Sequence, residues 1–299
     1  MKIIFMGTPD FARKSLQKLY NNGHEILAVF SGADKKQGRG MKLFPSPVKD
    51  LALSLNTPVY SPEEMTEELI TSFNCELIAV VAFGKLLPET ILQIPPFGCV
   101  NIHGSLLPKY RGASPVQHAI LNGDKITGVT SQYMVKKMDA GDVIFSKETT
   151  IRDDETSQDL FNRLGDMGAE LLSETVYAIE HGNAPRIPQK HEAATFAPIL
   201  TKNVSPVDFN QSAISIKNKI RALIPWPVAT MELGDKVVKL YDAVITDNHS
   251  GLPTGSVIAE NKFGIEVACL DGSVIITRLQ APGGKIMPAA EYLKGNKIK

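Results

Sequence analysis

Short unbroken apolar runs, separated by amphipathic stretches, organise the first half of the chain. Residues 2–6, 26–31, 77–81 and 100–103 predict strands, and 11–21, 47–55, 62–73 and 115–122 predict helices between them. The run Leu77-Ile78-Ala79-Val80-Val81 shows no alternation, the mark of a strand buried on both faces of a parallel sheet. Strands and helices alternating in this way predict an α/β fold with a doubly wound, mostly parallel sheet of Rossmann-like type.

The pattern changes after residue 125. Residues 127–134 and 143–149 predict two neighbouring strands around the turn Asp139-Ala140-Gly141-Asp142. A long helix follows, with Thr156 as its cap, Leu160, Leu164, Leu171 and Val176 at helical spacing, and Gly182 and Pro185 marking its end. Residues 186–206 lose all periodicity and are interrupted by Pro188, Pro198 and Pro206, which predicts an extended linker. Beyond it, a short helix over 213–224 stops at Pro225-Trp226-Pro227. Strand patterns at 236–244, 254–260, 264–268 and 273–279 then predict a small β-barrel. The expected division is a domain over 1–185, a linker over 186–206 and a barrel domain over 207–299.

Composition narrows the field. The 299 residues are 43% hydrophobic, and 32 Lys and Arg balance 32 Asp and Glu. Zero net charge argues against a domain held to nucleic acid by bulk charge alone, and leaves room for a local basic patch. No apolar run reaches the length of a membrane span, and no leader is expected before the first strand. Three dispersed cysteines, Cys75, Cys99 and Cys269, form no Cys-x-x-Cys pair, which argues against a disulfide framework and a zinc site. A metal-free protein in a reducing, cytoplasmic setting is expected. Nucleotide fingerprints also fail. Gly38-Arg39-Gly40 leads to Leu43 where a third glycine would stand, and no P-loop, His-Glu-x-x-His or Gly-x-Ser-x-Gly is present.

The informative chemistry lies at the end of the fourth strand. Asn101 and His103 are two apart, so both side chains share one face, and Gly104 lets the chain leave the sheet sharply. Asp139 sits in the later turn. Each residue alone has a bland reading: a turn cap, an interior histidine, a turn acid. Together, an amide, an imidazole and a carboxylate suit acyl transfer to an amine through a tetrahedral intermediate. Cys99 reads as a buried small residue, not a nucleophile, and Trp226 as a packing anchor.

The run Asn101-Ile102-His103-Gly104-Ser105-Leu106-Leu107-Pro108, followed by Met138-Asp139-Ala140-Gly141, resembles the folate-dependent formyltransferases. Three further stretches resemble the members that act on aminoacylated tRNA: residues 4–12, the loop Gly38-Arg39-Gly40 with Pro45-Ser46-Pro47-Val48-Lys49, and Ile220-Arg221-Ala222 with Pro225-Trp226-Pro227. The resemblance spans nearly the whole chain. It implies transfer of a formyl group from 10-formyltetrahydrofolate to the α-amine of methionyl initiator tRNA, with Asn101, His103 and Asp139 catalytic. It implies folate contacts from Ser105, Leu106, Leu107 and Pro108, with Phe83, Gly84, Lys85 and Leu86 as pocket neighbours. The C-terminal domain is then expected to be OB-like and to help hold the tRNA, and the protein to be a monomer. The basic loop with Lys35, Lys36, Arg39, Lys42 and Lys49 reads either as a solvated surface or as a tRNA contact. The rival within the resemblance is an enzyme that formylates a sugar-nucleotide amine.

Overall fold

The structure, a computed structural model, describes residues 1–37 and 42–296, with the backbone alone at 35–37 and 42. It divides into two units. The first comprises Met1–Pro115, Ile126–Thr150 and Phe161–Pro198; the second comprises Val116–Lys125, Ile151–Leu160 and Ile199–Lys299.

The apolar runs of the first half become β1 (Lys2–Gly7), β2 (Glu25–Phe30), β6 (Leu77–Val81) and β7 (Cys99–His103). Between them lie α1 (Asp10–Asn21), the short strands β3 (Lys35–Gln37) and β4 (Lys42–Phe44), α2 (Pro47–Ser54), β5 (Val59–Tyr60), α3 (Glu67–Ser72) and α4 (Glu89–Leu92). The predicted helix over 62–73 is broken into a 3-10 turn, Pro62–Glu64, and α3, because Thr66 turns extended and caps α3 through the Leu69 N–H. After α5 (Pro115–Leu121) come β8 (Ile126–Tyr133), β9 (Val143–Thr150) and the 24-residue α6 (Ser157–Glu180). Thr156 begins α6 as expected: its hydroxyl accepts from the Asp159 N–H, and the Asp159 carboxylate accepts from the Thr156 N–H.

The seven-stranded sheet runs β5-β2-β1-β6-β7-β8-β9. The five strands from β5 to β7 are parallel, and β8 and β9 are antiparallel. All five residues of β6 are buried, which is why its sequence shows no alternation. The chain leaves β1 for β2 on one side and reaches β6 on the other, so the strand order reverses at β1, and a ligand crevice belongs at the strand ends there. Alternation along β7 sorts its side chains. Ile102 faces α6, where a Cβ on Gly168 would lie 3.0 Å from it, so only glycine allows the helix this close. Cys99, Asn101 and His103 face the opposite way. Cys99 joins a core with Ile4, Met6, Ile78 and Val80, and the two polar residues continue that face toward the strand end.

In the second unit, α7 (Ala213–Ala222) lays Ile216 and Ile220 on an antiparallel sheet of β10 (Ala229–Leu233), β11 (Lys236–Thr246), β12 (Val257–Asn261), β13 (Gly264–Cys269), β14 (Gly272–Gln280) and β15 (Met287–Pro288). Helix α8 (Ala289–Gly295) adds Ala289 and Tyr292 to the same core. The strand order is β10-β11-β14-β13-β12, with β15 on β14. No pairing among the described residues joins β12 to β10, so the sheet is open and not the closed barrel the strand pattern suggested. The physical reason is that β10 covers only the first half of β11, while β12 pairs with β13 alone. Trp226 departs from its expectation too. It is 51% exposed, and Leu223, Pro227 and Val228 carry the packing at this turn.

Candidate active site

His103 closes β7 and is buried. Its Nε2 lies 2.8 Å from the Tyr110 carbonyl, an acceptor only, so this nitrogen carries a proton and donates. Nδ1 lies 3.7 Å from Asp139 Oδ1, too far for a direct hydrogen bond and within ion-pair reach when the ring is charged. Tyr110 adopts φ +59°, a left-handed backbone that costs about 1–3 kcal/mol for a non-glycine residue, and the loop that bears it turns its carbonyl onto His103. Asn101, half-buried, makes no hydrogen bond to another described residue through its side chain. Its amide keeps its full donor and acceptor capacity on the face it shares with His103.

Asp139 is also left-handed, with φ +48°. Its loop follows β8, and Gly141 two residues later could carry no side chain: a Cβ there would lie 1.8 Å from the Tyr133 carbonyl. That close approach accounts for the Asp-x-Gly spacing. Both carboxylate oxygens are held. Oδ1 accepts from Gln132 Nε2 at 3.0 Å, and Oδ2 accepts from the Gly112 N–H at 2.8 Å. Gln132 is the cross-strand partner of Asn101, and Thr130 that of His103, so β8 sets two polar residues beside the two on β7.

The residues expected to touch folate fall into two groups. Ser105 is fully buried and spends its hydroxyl on the Lys109 carbonyl, 2.6 Å away; Thr130 Oγ1 donates to the Ser105 carbonyl and accepts from the Leu107 N–H. These bonds fix the loop of Leu106, Leu107 and Pro108 beside His103. After β6, Ala82 takes φ +46° and Gly84 φ +80°, so the chain turns sharply there. Phe83 joins the core, Leu86 is 66% exposed, and Lys85 pairs with Glu63 at 2.8 Å. Of the basic loop, Lys35, Lys36 and Lys42 stand on the β3–β4 hairpin, with side chains outside the described residues; Arg39 lies wholly outside them. Lys49 is paired with Asp34 at 2.8 Å.

Four residues given no role in the sequence analysis enclose the site. Arg111 is buried and donates to Gln189 Oε1 at 2.6 and 3.2 Å and to His191 Nδ1 at 2.9 Å. Gln189 Nε2 donates to the Gly141 carbonyl at 2.7 Å, to the Asp139 carbonyl at 3.0 Å, and at 3.4 Å to Oε1 of Gln132, the fourth residue. Gln189 and His191 lie in the stretch expected as a linker. Up to Pro198 that stretch belongs to the first unit: Ile187 bridges to Val143, Thr195 Oγ1 accepts from the Tyr110 N–H, and the Ala197 N–H donates to the Arg111 carbonyl. Only Arg111 carried a signal, as a basic residue three positions after the Asn101–Pro108 run and just before Gly112. Cys99 has no part in the chemistry. Burial, reinforced by neighbouring Cys75, pushes its thiol up to about 12, leaving it an inert core residue. Among the described residues no cluster of His, Cys, Asp and Glu could hold a metal ion.

Known proteins resemble this chain in sequence and fold. Residues 1–176 match the model of the formyl transferase family, and 199–297 match that of the formyl transferase C-terminal domain. The methionyl-tRNA formyltransferase of Clostridioides difficile (strain 630) is 44% identical over 303 residues, covering 100% of this chain and 98% of that protein. That of Alkaliphilus oremlandii (strain OhILAs) is 43% identical over 303 residues, with the same coverage. Among solved structures, the N-formyltransferase of Helicobacter canadensis in complex with folinic acid and dTDP-3-aminofucose superposes with a TM-score of 0.72 at 18% identity, over 92% of this chain and 98% of that one. HypX from Aquifex aeolicus in complex with tetrahydrofolic acid gives 0.68 at 20% identity; this chain spans about half of it, 48%. At such identities these two structures speak for the fold alone, whereas the family models and the full-length relatives settle descent: the chain belongs to the formyl transferase family and groups within it with the methionyl-tRNA formyltransferases.

Proposed function

We propose that this chain transfers the formyl group of 10-formyltetrahydrofolate to the α-amine of methionine on initiator tRNA, with Asn101, His103 and Asp139 as its catalytic residues. The observation that carries the site assignment is the meeting of His103 and Asp139, from separate elements, at the end of β7 with 3.7 Å between Nδ1 and Oδ1. Full-length likeness to proteins named for methionyl-tRNA favours that acceptor over a sugar-nucleotide amine, whose formyltransferases lie near 20% identity.

The amine attacks the formyl carbon, and the carbonyl oxygen becomes an oxyanion. The Asn101 amide donates to that oxygen. His103 is pinned through Nε2–H on the Tyr110 carbonyl, so Nδ1 is the nitrogen left to donate to the oxyanion or to carry the amine's proton. The Asp139 carboxylate, fixed on both oxygens, faces Nδ1 across the 3.7 Å gap and orients the ring, directly or through a bridging water. Collapse of the intermediate expels N10 of the folate, which takes a proton. The loop of Ser105, Leu106, Leu107 and Pro108 and the turn of Phe83, Gly84, Lys85 and Leu86 border the folate, and the basic residues Lys35, Lys36, Arg39 and Lys42 meet tRNA phosphates. Lys49 contributes less, since Asp34 already neutralises it.

The test offers labelled 10-formyltetrahydrofolate with methionylated initiator tRNA, methionylated elongator tRNA and a sugar-nucleotide amine in parallel. Label is expected on the initiator tRNA alone. Preference for the sugar nucleotide would overturn the acceptor assignment.

A further inference from the structure

Asp139 occupies a strained backbone conformation on an irregular loop, yet its carboxylate must stay within a few tenths of an ångström of one place to act on His103. The loop has no regular ladder of its own beyond the Gly141 approach to β8. Beside the Gly112 N–H on Oδ2 and the backbone bonds Ala140–Lys137 and Tyr133–Asp142, it is held by a chain of side-chain amides that starts at a buried charge. The Arg111 guanidinium donates twice to Gln189 Oε1, which settles the orientation of that amide: Oε1 faces Arg111, and Nε2 faces the Asp139 loop. Nε2 then meets three acceptors, the carbonyls of Asp139 and Gly141 and Gln132 Oε1. The two carbonyls take the two N–H groups and the 3.4 Å approach to Gln132 is the weakest of the three; Gln132 in turn presents its own Nε2 to Asp139 Oδ1, an acceptor only. The relay thus ends on the oxygen nearest His103.

We infer that Gln189 is a positioning residue for the transfer reaction: it reads the charge of Arg111 and fixes both the backbone and, through Gln132, the carboxylate of Asp139. Gln189 lies between the two matched family regions, which end at 176 and resume at 199. The inference rests on the catalytic assignment of Asp139.

The experiment uses the full-length chain with methionylated initiator tRNA and compares Gln189→Leu, Gln189→Glu, Asp139→Asn and the double variant Asp139→Asn/Gln189→Leu. Gln189→Leu is expected to lower kcat by about 10–100-fold, the scale of a catalytic group displaced by an ångström, with KM for both substrates within about twofold. Gln189→Glu retains the Arg111 anchor as an ion pair, so its urea midpoint stays at or above that of Gln189→Leu. It offers no donor to the Asp139 loop, so kcat falls all the same. On the Asp139→Asn background, Gln189→Leu is expected to cost no more than about twofold. An equal loss on both backgrounds, a rise in KM with kcat kept, or full kcat in Gln189→Glu would overturn the inference, the last because anchoring the strap would then be all that Gln189 does. If Gln189→Leu fails to fold, Gln189→Glu decides alone. Full kcat in Asp139→Asn would instead sink the catalytic assignment, a failure separate from that of Gln189 when Asp139→Asn is impaired.

Discussion

Two arginines, Arg111 in the first unit and Arg221 in the second, are both buried and both engaged through several N–H groups, yet they do different things. Arg221, on α7, donates to the backbone carbonyls of Arg152 and Glu155 and to Asn218 on its own helix. Every one of those partners is structural, and the result is a clip that fastens the segment before α6 to α7. Arg111 donates to side chains, Gln189 and His191, and one of these passes the orientation on to the loop of Asp139. Burial and hydrogen-bond count therefore do not distinguish a staple from a support of the reaction; what lies at the far end of the chain of bonds does. A carbonyl that accepts from Arg221 ends the sequence, whereas an amide that accepts from Arg111 has a second end to aim.

The contrast can be broken in order of expected effect. The largest belongs to the end of the relay: Asn101→Ala, His103→Ala and Asp139→Asn should each lower kcat by about 10²–10⁴-fold while circular dichroism stays that of the parent; only His103→Ala, which leaves the Tyr110 carbonyl without its donor, should also lower the unfolding midpoint. Near-normal turnover in all three would remove the functional half of the comparison. Next, Arg221→Met leaves the Arg152 and Glu155 carbonyls without their donor and should cost about 3 kcal/mol of stability in urea unfolding, with kcat unchanged where the fold is intact. A selective loss of kcat would mean that Arg221 is more than a clip. Ser212, whose hydroxyl caps α7 by accepting from the Ser215 N–H, sharpens the same point: Ser212→Ala should cost about 1 kcal/mol and leave turnover alone. Lys85→Ala, which removes an exposed and solvent-screened pair with Glu63, should leave the urea midpoint unchanged. The smallest effect is at Cys99. With its thiol raised to about 12 by burial, it should resist iodoacetamide at pH 8 in the native protein and react only after denaturation, as mass spectrometry would register.

The first unit was legible where burial alone dictates sequence. β6 matches its predicted span because an unbroken apolar run has only one place to go. Asn101 and His103 share a face because alternation along a strand is fixed geometry. Elements missed in the sequence are short or lack an apolar stripe: β5 and β15 have two residues each, and α8 buries only Ala289 and Tyr292. The predicted barrel failed for another reason. Strand patterns count strands but carry no register, and closure depends on whether the first and last strands meet. Trp226 was misplaced because a large aromatic between two prolines gives no sign of which neighbour takes the buried side.

The sequence by itself determined the two-part architecture, the strand that bears Asn101 and His103, and the residues proposed for formyl transfer. Those follow from local periodicity and from motifs contiguous in the chain. Tertiary structure alone decided that the Tyr110 carbonyl accepts a hydrogen bond from His103 Nε2, that Asp139 stops 3.7 Å short of Nδ1, and that Gln189, 50 residues beyond Asp139, donates to its carbonyl. Side-chain amides have no periodicity and no preferred partner until the fold brings an acceptor within about 3 Å, so no pattern along the chain could have announced them.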